Sequence, residues 1–147
     1  MTAIVRYVTA ADEPVWRELW ADYLAFYETT REEDVYAESW RRILDPDVGM
    51  FAMVAETPEN GVVGIVNFLY HTSFWEKENR IYLNDLYVRP EIRGTGAGKA
   101  MIDAVETHAK QHNCSQVWWM TANDNAVARK LYDGVAKLAP FVKYQII

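Results

Sequence analysis

The chain has 147 residues and a mass of 17.0 kDa, the usual size of one domain, so we expect a single domain over residues 1–147. Half of the residues are hydrophobic, yet no apolar run approaches the ~20 residues that span a bilayer, which argues against a membrane partner. The net charge of −6 and the pI near 5.0 argue against nucleic acid as a partner, because nucleic-acid binding depends on clustered Lys and Arg.

The cysteine content and the N-terminus bear on the cellular compartment. Cys114 is the only cysteine, so no internal disulfide can form, and nothing indicates an oxidising compartment. Residues 1–6 lack the basic segment and apolar core that mark a secretory signal. Together these observations predict a cytoplasmic protein.

The first half of the chain predicts a strand, two helices and an antiparallel hairpin. These elements are expected at 4–8 (strand), 12–27 and 33–44 (helices), and 50–55 and 62–70 (strands). The first helix begins near Asp12, and Pro14 occupies the first-turn position that proline favours. Its apolar residues recur every three or four positions, so most of that face should lie in the core. Near its end, Tyr23, Tyr27 and Glu28 could line the mouth of a site.

The second half predicts alternating strands and helices. These elements are expected at 80–88 (strand), 96–112 (helix), 117–121 (strand), 125–136 (helix) and 141–147 (strand). The strands at 80–88 and 117–121 are joined by a helix, so they should lie parallel as a βαβ unit. The strands before them form an antiparallel meander. The expected fold class is therefore α/β, with a mixed, mostly antiparallel sheet flanked by about four helices.

A glycine-rich turn, Arg93-Gly94-Thr95-Gly96-Ala97-Gly98-Lys99, joins the strand at 80–88 to the next helix. Glycines let backbone N–H groups crowd together at a helix N-terminus, where unpaired amides and the helix dipole attract a pyrophosphate. Ala100 follows Gly98-Lys99 where a Walker loop needs Ser or Thr. A dinucleotide fingerprint needs a different glycine spacing and an acid at the end of the next strand. Both observations argue against a nucleotide-binding module.

A second motif, Asn125-Ala126-Val127-Ala128-Arg129-Lys130-Leu131-Tyr132, lies in the last predicted helix. It resembles the Asn-x-x-Ala-x-x-Leu/Phe-Tyr segment of the GNAT superfamily of N-acyltransferases. The glycine turn, with the preceding Leu86-Tyr87-Val88-Arg89-Pro90, resembles the acyl-CoA loop of the same superfamily. The similarity covers most of the chain. The endings Leu131-Tyr132-Asp133 and Phe141-Val142-Lys143-Tyr144 further resemble a subgroup that includes histone, D-amino-acid and polyamine-type acetyltransferases. The similarity implies a GNAT fold whose parallel strand pair is splayed.

The resemblance implies acetyl-CoA as the acyl donor. Its diphosphate would lie against the turn formed by Arg93, Gly94, Thr95, Gly96, Ala97, Gly98 and Lys99. The pantetheine arm would enter the splay and bond the backbone of the bulged strand at Leu86, Tyr87 and Val88, as an added strand would. Asn125, Ala128 and Tyr132 would contact the cofactor from the last helix. Asn125 is equally suited to be the N-cap of that helix.

The resemblance also implies direct attack of an amine on the thioester. A backbone N–H of Leu86 or Tyr87 would stabilise the oxyanion. Tyr132 would donate a proton to the leaving thiolate, since a phenol of pKa ~10 lies close to a thiol of ~8.5; the alternative for Tyr132 is a core tyrosine with a bonded hydroxyl. The general base stays open. Polyamine acetyltransferases of this superfamily place a glutamate at the position of Asn84, and an asparagine cannot act as a base. The candidates for the base are therefore Asp85, Glu28 or an ordered water, and Asp85 could instead be structural.

The expected acceptor is the primary amine of a small cationic molecule. Tyr23, Tyr27, Glu28 and Asn84 are the residues expected to contact it, because they would form an acidic, aromatic mouth. A protein lysine is an alternative acceptor. A sensor that binds acyl-CoA without turnover is a second alternative, against which Tyr132 argues.

No metal is expected. His108 and His112 lie four residues apart on a predicted helix, a spacing that can hold a metal ion, but no third ligand is evident. Exposed histidines are the interpretation that this pattern favours.

The C-terminal segment predicts a homodimer. Where this superfamily usually has two strands after the last helix, only one, at 141–147, is clear here. Such a strand at the sheet margin offers unpaired N–H and C=O groups, and Phe141, Val142, Ile146 and Ile147 are costly to leave in water. Pairing across a two-fold axis would satisfy both needs.

Overall fold

Five strands form one sheet in sequence order, and the computed structural model describes residues 2–147 of the chain. The elements are β1 Ile4–Tyr7, α1 Glu13–Phe26, α2 Glu33–Leu44, β2 Met50–Thr57, β3 Gly61–His71, β4 Arg80–Val88, α3 Ala97–Gln111, β5 Val117–Trp118 and α4 Ala126–Val135. Strands β1 to β4 pair antiparallel, and β5 pairs parallel with β4. The predicted α/β fold class is confirmed.

Helix α1 begins at Glu13, one residue after its predicted start, and the carboxylate of the preceding Asp12 is held by other partners. It accepts bonds of 2.8 and 3.0 Å from Arg6 on β1 and one of 2.7 Å from the Thr9 N–H. The hydrogen bond to Arg6 lowers the pKa of Asp12 to about 2. Pro14 lies in the first turn of the helix, where its missing N–H costs nothing.

Helices cover both faces of the sheet, which places a hydrophobic cluster on each side. Helices α1 and α2 cover one face with the cluster Trp16, Leu19, Trp40, Ala52, Val54, Ile65 and Tyr87. Helix α3 covers the other face, where Met101 and Val105 pack against Val66 and Phe68 of β3. Trp16 is only 1% exposed, as the spacing of apolar residues in α1 predicts.

His108 is buried, so the prediction of an exposed histidine is wrong at this position. Its side chain is 2% exposed and lies between two phenols, with Tyr7 Oη 2.5 Å from Nδ1 and Tyr70 Oη 3.0 Å from Nε2. Burial, followed by the nearby His112, lowers the pKa of His108 to about 4. The interaction joins β1, β3 and α3. His112 is exposed as predicted, and residues 2–147 contain no group of three metal-binding side chains placed to share an ion.

The C-terminal region has less regular structure than the sequence predicts. Strand β5 comprises only Val117–Trp118 instead of 117–121, because the chain turns away from β4 after two paired positions. Residues 136–147 contain no helix or strand, so the predicted strand at 141–147 is wrong for the single chain. Phe141 is 84% exposed and Ile147 is fully exposed, which shows that no part of residues 2–147 covers the apolar segment. No helix of residues 2–147 has the length and apolarity to cross a membrane.

Candidate active site

A β-bulge in β4 organises the site. Asn67 of β3 lies opposite Asp85 and the next residue, Phe68, lies opposite Leu83, so Asn84 is the extra residue of β4. The extra residue reverses the alternation of side chains between the two faces of the sheet. Leu83 and Leu86 therefore both pack on the α3 face, although three positions separate them. The bulge that the resemblance implies is confirmed, and its centre is Asn84.

The bulge also decides which backbone amides of β4 point away from β3. Arg89 donates its N–H to Val63 O on β3 at 2.8 Å, so alternation directs the N–H of Tyr87 toward β3 as well. The amides of Leu86 and Val88 then point toward the β5 side. Strand β5 pairs with β4 only at Ile81 and Tyr82, so those amides face an open edge. Of the two amides proposed for an oxyanion, Leu86 faces the splay and Tyr87 does not.

The glycine-rich turn forms a cradle at the end of β4. Gly94 and Gly96 have φ values of 85° and 89°, a left-handed conformation that favours glycine, and an added Cβ at either would meet no atom within 4 Å. Gly96 is the N-cap of α3, so the first amides of the helix are directed at this open space. The Thr95 hydroxyl donates to Ile92 O at 2.7 Å, which holds the turn against the end of β4.

Arg93 is held beside this cradle. Its Nε donates to Val88 O at 3.2 Å, and its guanidinium lies 5.8 Å from the Tyr87 ring centroid and 6.0 Å from that of Phe26. A positive charge therefore lies at the end of β4, next in the chain to the glycine turn.

Three other residues predicted to contact the cofactor, Gly98, Ala97 and Lys99, interact with the protein itself. A Cβ on Gly98 would lie 3.2 Å from Leu131 Cδ2, so glycine here permits close packing of α3 against α4. Ala97 is buried, and Lys99 pairs with Asp103 at 2.9 Å one turn along α3. Only their backbone N–H groups remain suited to a phosphate.

Helix α4 brings Asn125, Ala128 and Tyr132 to the open side of the sheet. Asn125 Oδ1 accepts the Ala128 N–H at 3.2 Å, which confirms the N-cap role of Asn125 and leaves its amide nitrogen outside that bond. The Tyr132 ring packs edge-on against Trp119, with 5.4 Å between the centroids. Burial, followed by the proximity of Tyr27, raises the pKa of Tyr132. Tyr132 is therefore protonated at neutral pH, and the end of α1 lies close to it.

The predicted acceptor residues of α1 border the same open side. The Tyr23 ring lies 5.0 Å from the Tyr27 ring and 6.4 Å from the Tyr87 ring of β4. Burial, followed by Asp85, raises the pKa of Tyr23 and of Tyr82. Tyr23 and Tyr82 thus lie near Asp85 of the bulge, and Tyr27 lies between Tyr23 and Tyr132.

Glu28 follows α1 in an unusual conformation. It has a φ of 57°, a value that an L-residue with a Cβ seldom adopts. Its N–H bonds Ala25 O at 2.9 Å and the Thr29 N–H bonds Leu24 O at 3.0 Å, the bonding pattern of a helix end that usually carries glycine. The Glu28 side chain is exposed beside Tyr27. Asn84, the residue of β4 predicted to contact the acceptor amine, is also exposed.

Asp85 lies on the buried side of the bulge. It is 8% exposed and accepts hydrogen bonds from three neutral side chains, those of Trp20, Asn67 and Asn84. Neither Asn67 nor Trp20 stands out as a site residue in the sequence. The one available signal was an asparagine within the apolar run Ile65-Val66-Asn67-Phe68-Leu69, because a polar side chain in such a strand needs a bonding partner.

The residues present fit an acyl-CoA thioester. The cradle is open, carries a fixed arginine and leads to a β4 edge whose amides lack strand partners within residues 2–147. A diphosphate needs an open cradle with a positive charge, and the amide groups of an extended arm need the unpaired edge of β4. The phenol of Tyr132 packs against Trp119, directly after β5, and stays protonated. The geometry therefore defines the class of acyl-CoA-dependent acyltransferases.

Comparison with known proteins agrees with this class. The sequence profile described as "Acetyltransferase (GNAT) family" matches residues 13–134. The D-amino-acid N-acetyltransferase HPA3 of Saccharomyces cerevisiae is 32% identical, over 97% of this chain and 89% of its own length. The thialysine N-epsilon-acetyltransferase of Bos taurus is 39% identical over 48% of this chain and 41% of its own length. A crystal structure of ribosomal-protein-alanine N-acetyltransferase from Brucella melitensis biovar Abortus 2308 superposes with a TM-score of 0.81, at 25% identity over 99% of both chains.

The chain belongs to the GNAT family of acetyltransferases. It is an acetyl-CoA-dependent N-acetyltransferase.

Proposed function

We propose that the enzyme acetylates the primary amine of a small cationic molecule at the open edge of β4. The observation that carries this proposal is the Leu86 amide, which faces the open edge of β4 beyond its two positions of pairing with β5. The two curated relatives are named for D-amino acids and for thialysine, which are amines of this size. The exposed Glu28 and the net charge of −6 favour a cationic acceptor.

The chain's own groups divide the chemistry between them. The Leu86 N–H would bond the carbonyl oxygen of the thioester as negative charge develops there. Tyr132 would deliver its proton to the departing sulfur, because the phenol is protonated at neutral pH and the thiolate that forms is a base within reach of its pKa. Arg93, the Gly94–Gly96 amides and Asn125 would hold the diphosphate end and the arm.

Proton removal from the acceptor is assigned to an ordered water or to Glu28. Both oxygens of Asp85 already accept hydrogen bonds, and the side chain is almost fully buried. Direct contact with an incoming ammonium would require those bonds to break. An α-amino group of pKa ~8 needs little help at neutral pH, whereas an alkyl amine of pKa ~10.4 needs a base.

A panel of amines with detection of free CoA tests the acceptor class. The panel contains D-amino acids, thialysine, a polyamine, an aminoglycoside and a lysine-containing peptide. We expect kcat/KM for the best small amine to exceed that for the peptide about tenfold or more, because the phenol-lined mouth is formed by only a few side chains. A preference for the peptide would contradict the proposal. Binding of acetyl-CoA without release of CoA for any amine would instead support the sensor alternative.

A matched pair of variants locates the acceptor within the protein. Glu28→Gln should raise the KM for the amine by about three- to tenfold, since one attractive charge is lost at a partly solvated site. Glu59→Gln changes an equally exposed glutamate in the turn between β2 and β3 and should leave KM unchanged. Equal effects of the two variants would remove Glu28 from the acceptor site.

The same enzyme is proposed to be a homodimer in which a second copy covers residues 136–147. Five large apolar residues of this segment are between 70% and 107% exposed, namely Leu138, Phe141, Val142, Ile146 and Ile147. Strand β5 is the last strand of the sheet, so its outer edge has no partner strand within residues 2–147. An extended apolar segment and a free strand edge are complementary, and two copies related by a two-fold axis would satisfy both.

Light scattering at micromolar concentration tests the dimer. We expect twice the 17.0 kDa chain mass, and a shift to the single-chain mass when residues 144–147 are removed. Tyr144→Phe, which deletes only one exposed hydroxyl, serves as the control and should stay dimeric. A particle of 17.0 kDa, or a truncated chain that remains dimeric, would contradict the assignment.

We also propose that the enzyme works in the cytoplasm, without nucleic acid or membrane as a partner. Cys114 is a free thiol, which a reducing compartment preserves. The acidic net charge would repel both nucleic-acid phosphates and anionic lipid surfaces. Microscopy of a tagged full-length protein checks the location.

A further inference from the structure

Five side chains form a hydrogen-bonded group under the β4 bulge, which we call the bulge network: Trp16, Trp20, Asn67, Asn84 and Asp85. Trp16 Nε1 donates to Asn67 Oδ1 at 2.9 Å, and Asn67 Nδ2 donates to Asp85 Oδ2 at 3.0 Å. Trp20 Nε1 donates to the same Oδ2 at 3.3 Å. Asn84 Nδ2 donates to Asp85 Oδ1 at 2.8 Å. The network thus ties α1 to β3 and to both residues of the bulge.

Asn67 occupies the position on which the bulge turns. It is the β3 residue opposite Asp85, and the register of the two strands shifts between Asn67 and Phe68. Its amide uses both ends, since the oxygen accepts from α1 and the nitrogen donates to β4. The indole of Trp16 that fixes this amide is 1% exposed and packs within the cluster of the α1 face. Asn67 is therefore held in one orientation.

We propose that Asn67 and Asp85 are positioning residues that hold the β4 bulge and so aim the Leu86 amide at the acetyl carbonyl. This inference rests on the role proposed above for Leu86. In a regular register Asn84 would face Asn67, the amide of Tyr87 rather than Leu86 would face the splay, and Leu86 would leave the α3 face. Only the bulged register places a carboxylate where it accepts from both the Trp20 indole and the Asn67 amide, so the network selects that register.

The network requires an acceptor at position 85 and does not require a charge. Every group that bonds Asp85 is a neutral donor, and Oδ2 accepts two of the three bonds. An asparagine amide could place its oxygen at the Oδ2 position and accept from Trp20 and Asn67. Its nitrogen could then donate to Asn84, whose exposed amide is free to rotate its oxygen inward. A leucine of similar size could make none of these bonds.

The test compares Asn67→Leu, Asp85→Leu and Asp85→Asn with the best amine of the panel. We expect each leucine variant to lose kcat about 10- to 100-fold with a smaller rise in the KM for acetyl-CoA, because a misplaced oxyanion donor affects the transition state while the glycine cradle still holds the diphosphate. Asp85→Asn should recover most of the kcat that Asp85→Leu loses, and its pH profile should keep the wild-type shape. Trp20→Phe, which deletes the 3.3 Å bond and leaves a smaller ring against Trp16 and Tyr36, is the milder variant if a leucine variant does not fold.

A second readout needs no acceptor. The carbonyl stretch of bound [1-¹³C]acetyl-CoA should shift to lower frequency in the wild type, because the Leu86 N–H polarises the carbonyl. The shift should be lost in the leucine variants and retained in Asp85→Asn. If no amine is turned over, the acceptor proposal fails while this measurement still tests the network. A wild-type kcat or an unchanged carbonyl shift in Asn67→Leu would overturn the inference, as would an Asp85→Asn variant as inactive as Asp85→Leu.

Discussion

The two edges of strand β4 are built differently. Toward β3, β4 is paired along its length from Arg80 to Val88, with one bulge at Asn84. Toward β5, it is paired only at Ile81 and Tyr82. The paired edge lies within two helical layers and their clusters, whereas the open edge leads to the glycine turn and to α4.

The difference shows how one strand serves both stability and chemistry. The paired edge satisfies its backbone groups within the protein and fixes the strand in space. The open edge leaves amides that a bound thioester arm would satisfy, so binding completes the hydrogen bonding that folding leaves undone. The bulge lies where the paired edge changes register and the open edge begins, which places Leu86 at the boundary. The predictions below act at the open edge, at the paired side of the sheet, or where α1 meets the open edge.

The largest effect is expected at the open edge, from Tyr132→Phe. This change removes one hydroxyl and keeps the ring against Trp119, so kcat should fall by about one to three orders of magnitude while acetyl-CoA binds normally. Single-turnover kinetics isolates the chemical step. Tyr36→Phe, a tyrosine on α2, is the control. A single-turnover rate within about twofold of wild type would exclude Tyr132 as the acid.

A change in the cradle should weaken cofactor binding at the same edge. In Gly96→Val the new side chain has open space but is forced to a φ of 89°, so the turn should rearrange and raise the KM for acetyl-CoA by about tenfold or more. Gly61→Val is the matched control, because Gly61 has a φ of 65°, equally open surroundings and a place in the β2–β3 turn. Both variants should lose stability, and only Gly96→Val should lose affinity. Equal acetyl-CoA affinity in titrations of the two folded variants would refute the cradle.

At the paired side of the sheet, His108 should make stability depend on pH. The pKa of His108 is about 4 in the folded chain and 6.5 in the unfolded chain. The unfolded chain therefore binds the proton first as pH falls. The stability is therefore complete above pH 6.5 and is lost as pH falls toward 4, by about 3 kcal/mol in total. Urea unfolding at several pH values measures this loss.

Two variants separate His108 from other titrating groups. His108→Gln should flatten the dependence between pH 6.5 and pH 4, whereas His112→Gln should preserve most of it, because burial is the larger cause of the lowered His108 pKa. Asp12, with a pKa of about 2, contributes stability that is lost only as pH falls below about 3.8, so it lies outside most of this window. The same slope in both variants would show that His108 is not the titrating group.

The paired edge was largely predictable from the sequence, and the open edge only in part. The bounds of α2 and β4 agree with their predictions because hydrophobic periodicity and flanking Pro and Gly are local signals. The glycine cradle was found for the same reason. The length of β5 and the state of residues 136–147 depend on whether a partner strand is present, which no local pattern reports.

The side chains beneath the bulge illustrate the remaining gap. The sequence singles out Asp85, but Trp20 and Asn67, which bond it, and Trp16, which bonds Asn67, lie 18 to 69 positions away in the chain and come together only in the folded sheet. His108 was placed on the correct helix but on the wrong side of it, because a buried histidine needs phenols from β1 and β3 that spacing within α3 does not reveal.

The smallest effect is expected where α1 meets the open edge, from Glu28→Gly. Glycine suits the φ of 57° at this helix end, so the variant should gain about 1 kcal/mol of stability, or a few degrees in Tm. The KM for the amine should rise at the same time, because the carboxylate is lost from the mouth. Asn113 has a φ of 56° and ends α3 with the same bonding pattern, so Asn113→Gly is the matched control. It should gain less stability, since Asn tolerates this conformation better than Glu, and its KM should not change. If both variants gained stability and neither changed KM, Glu28 would be a strained helix end and no part of the acceptor site.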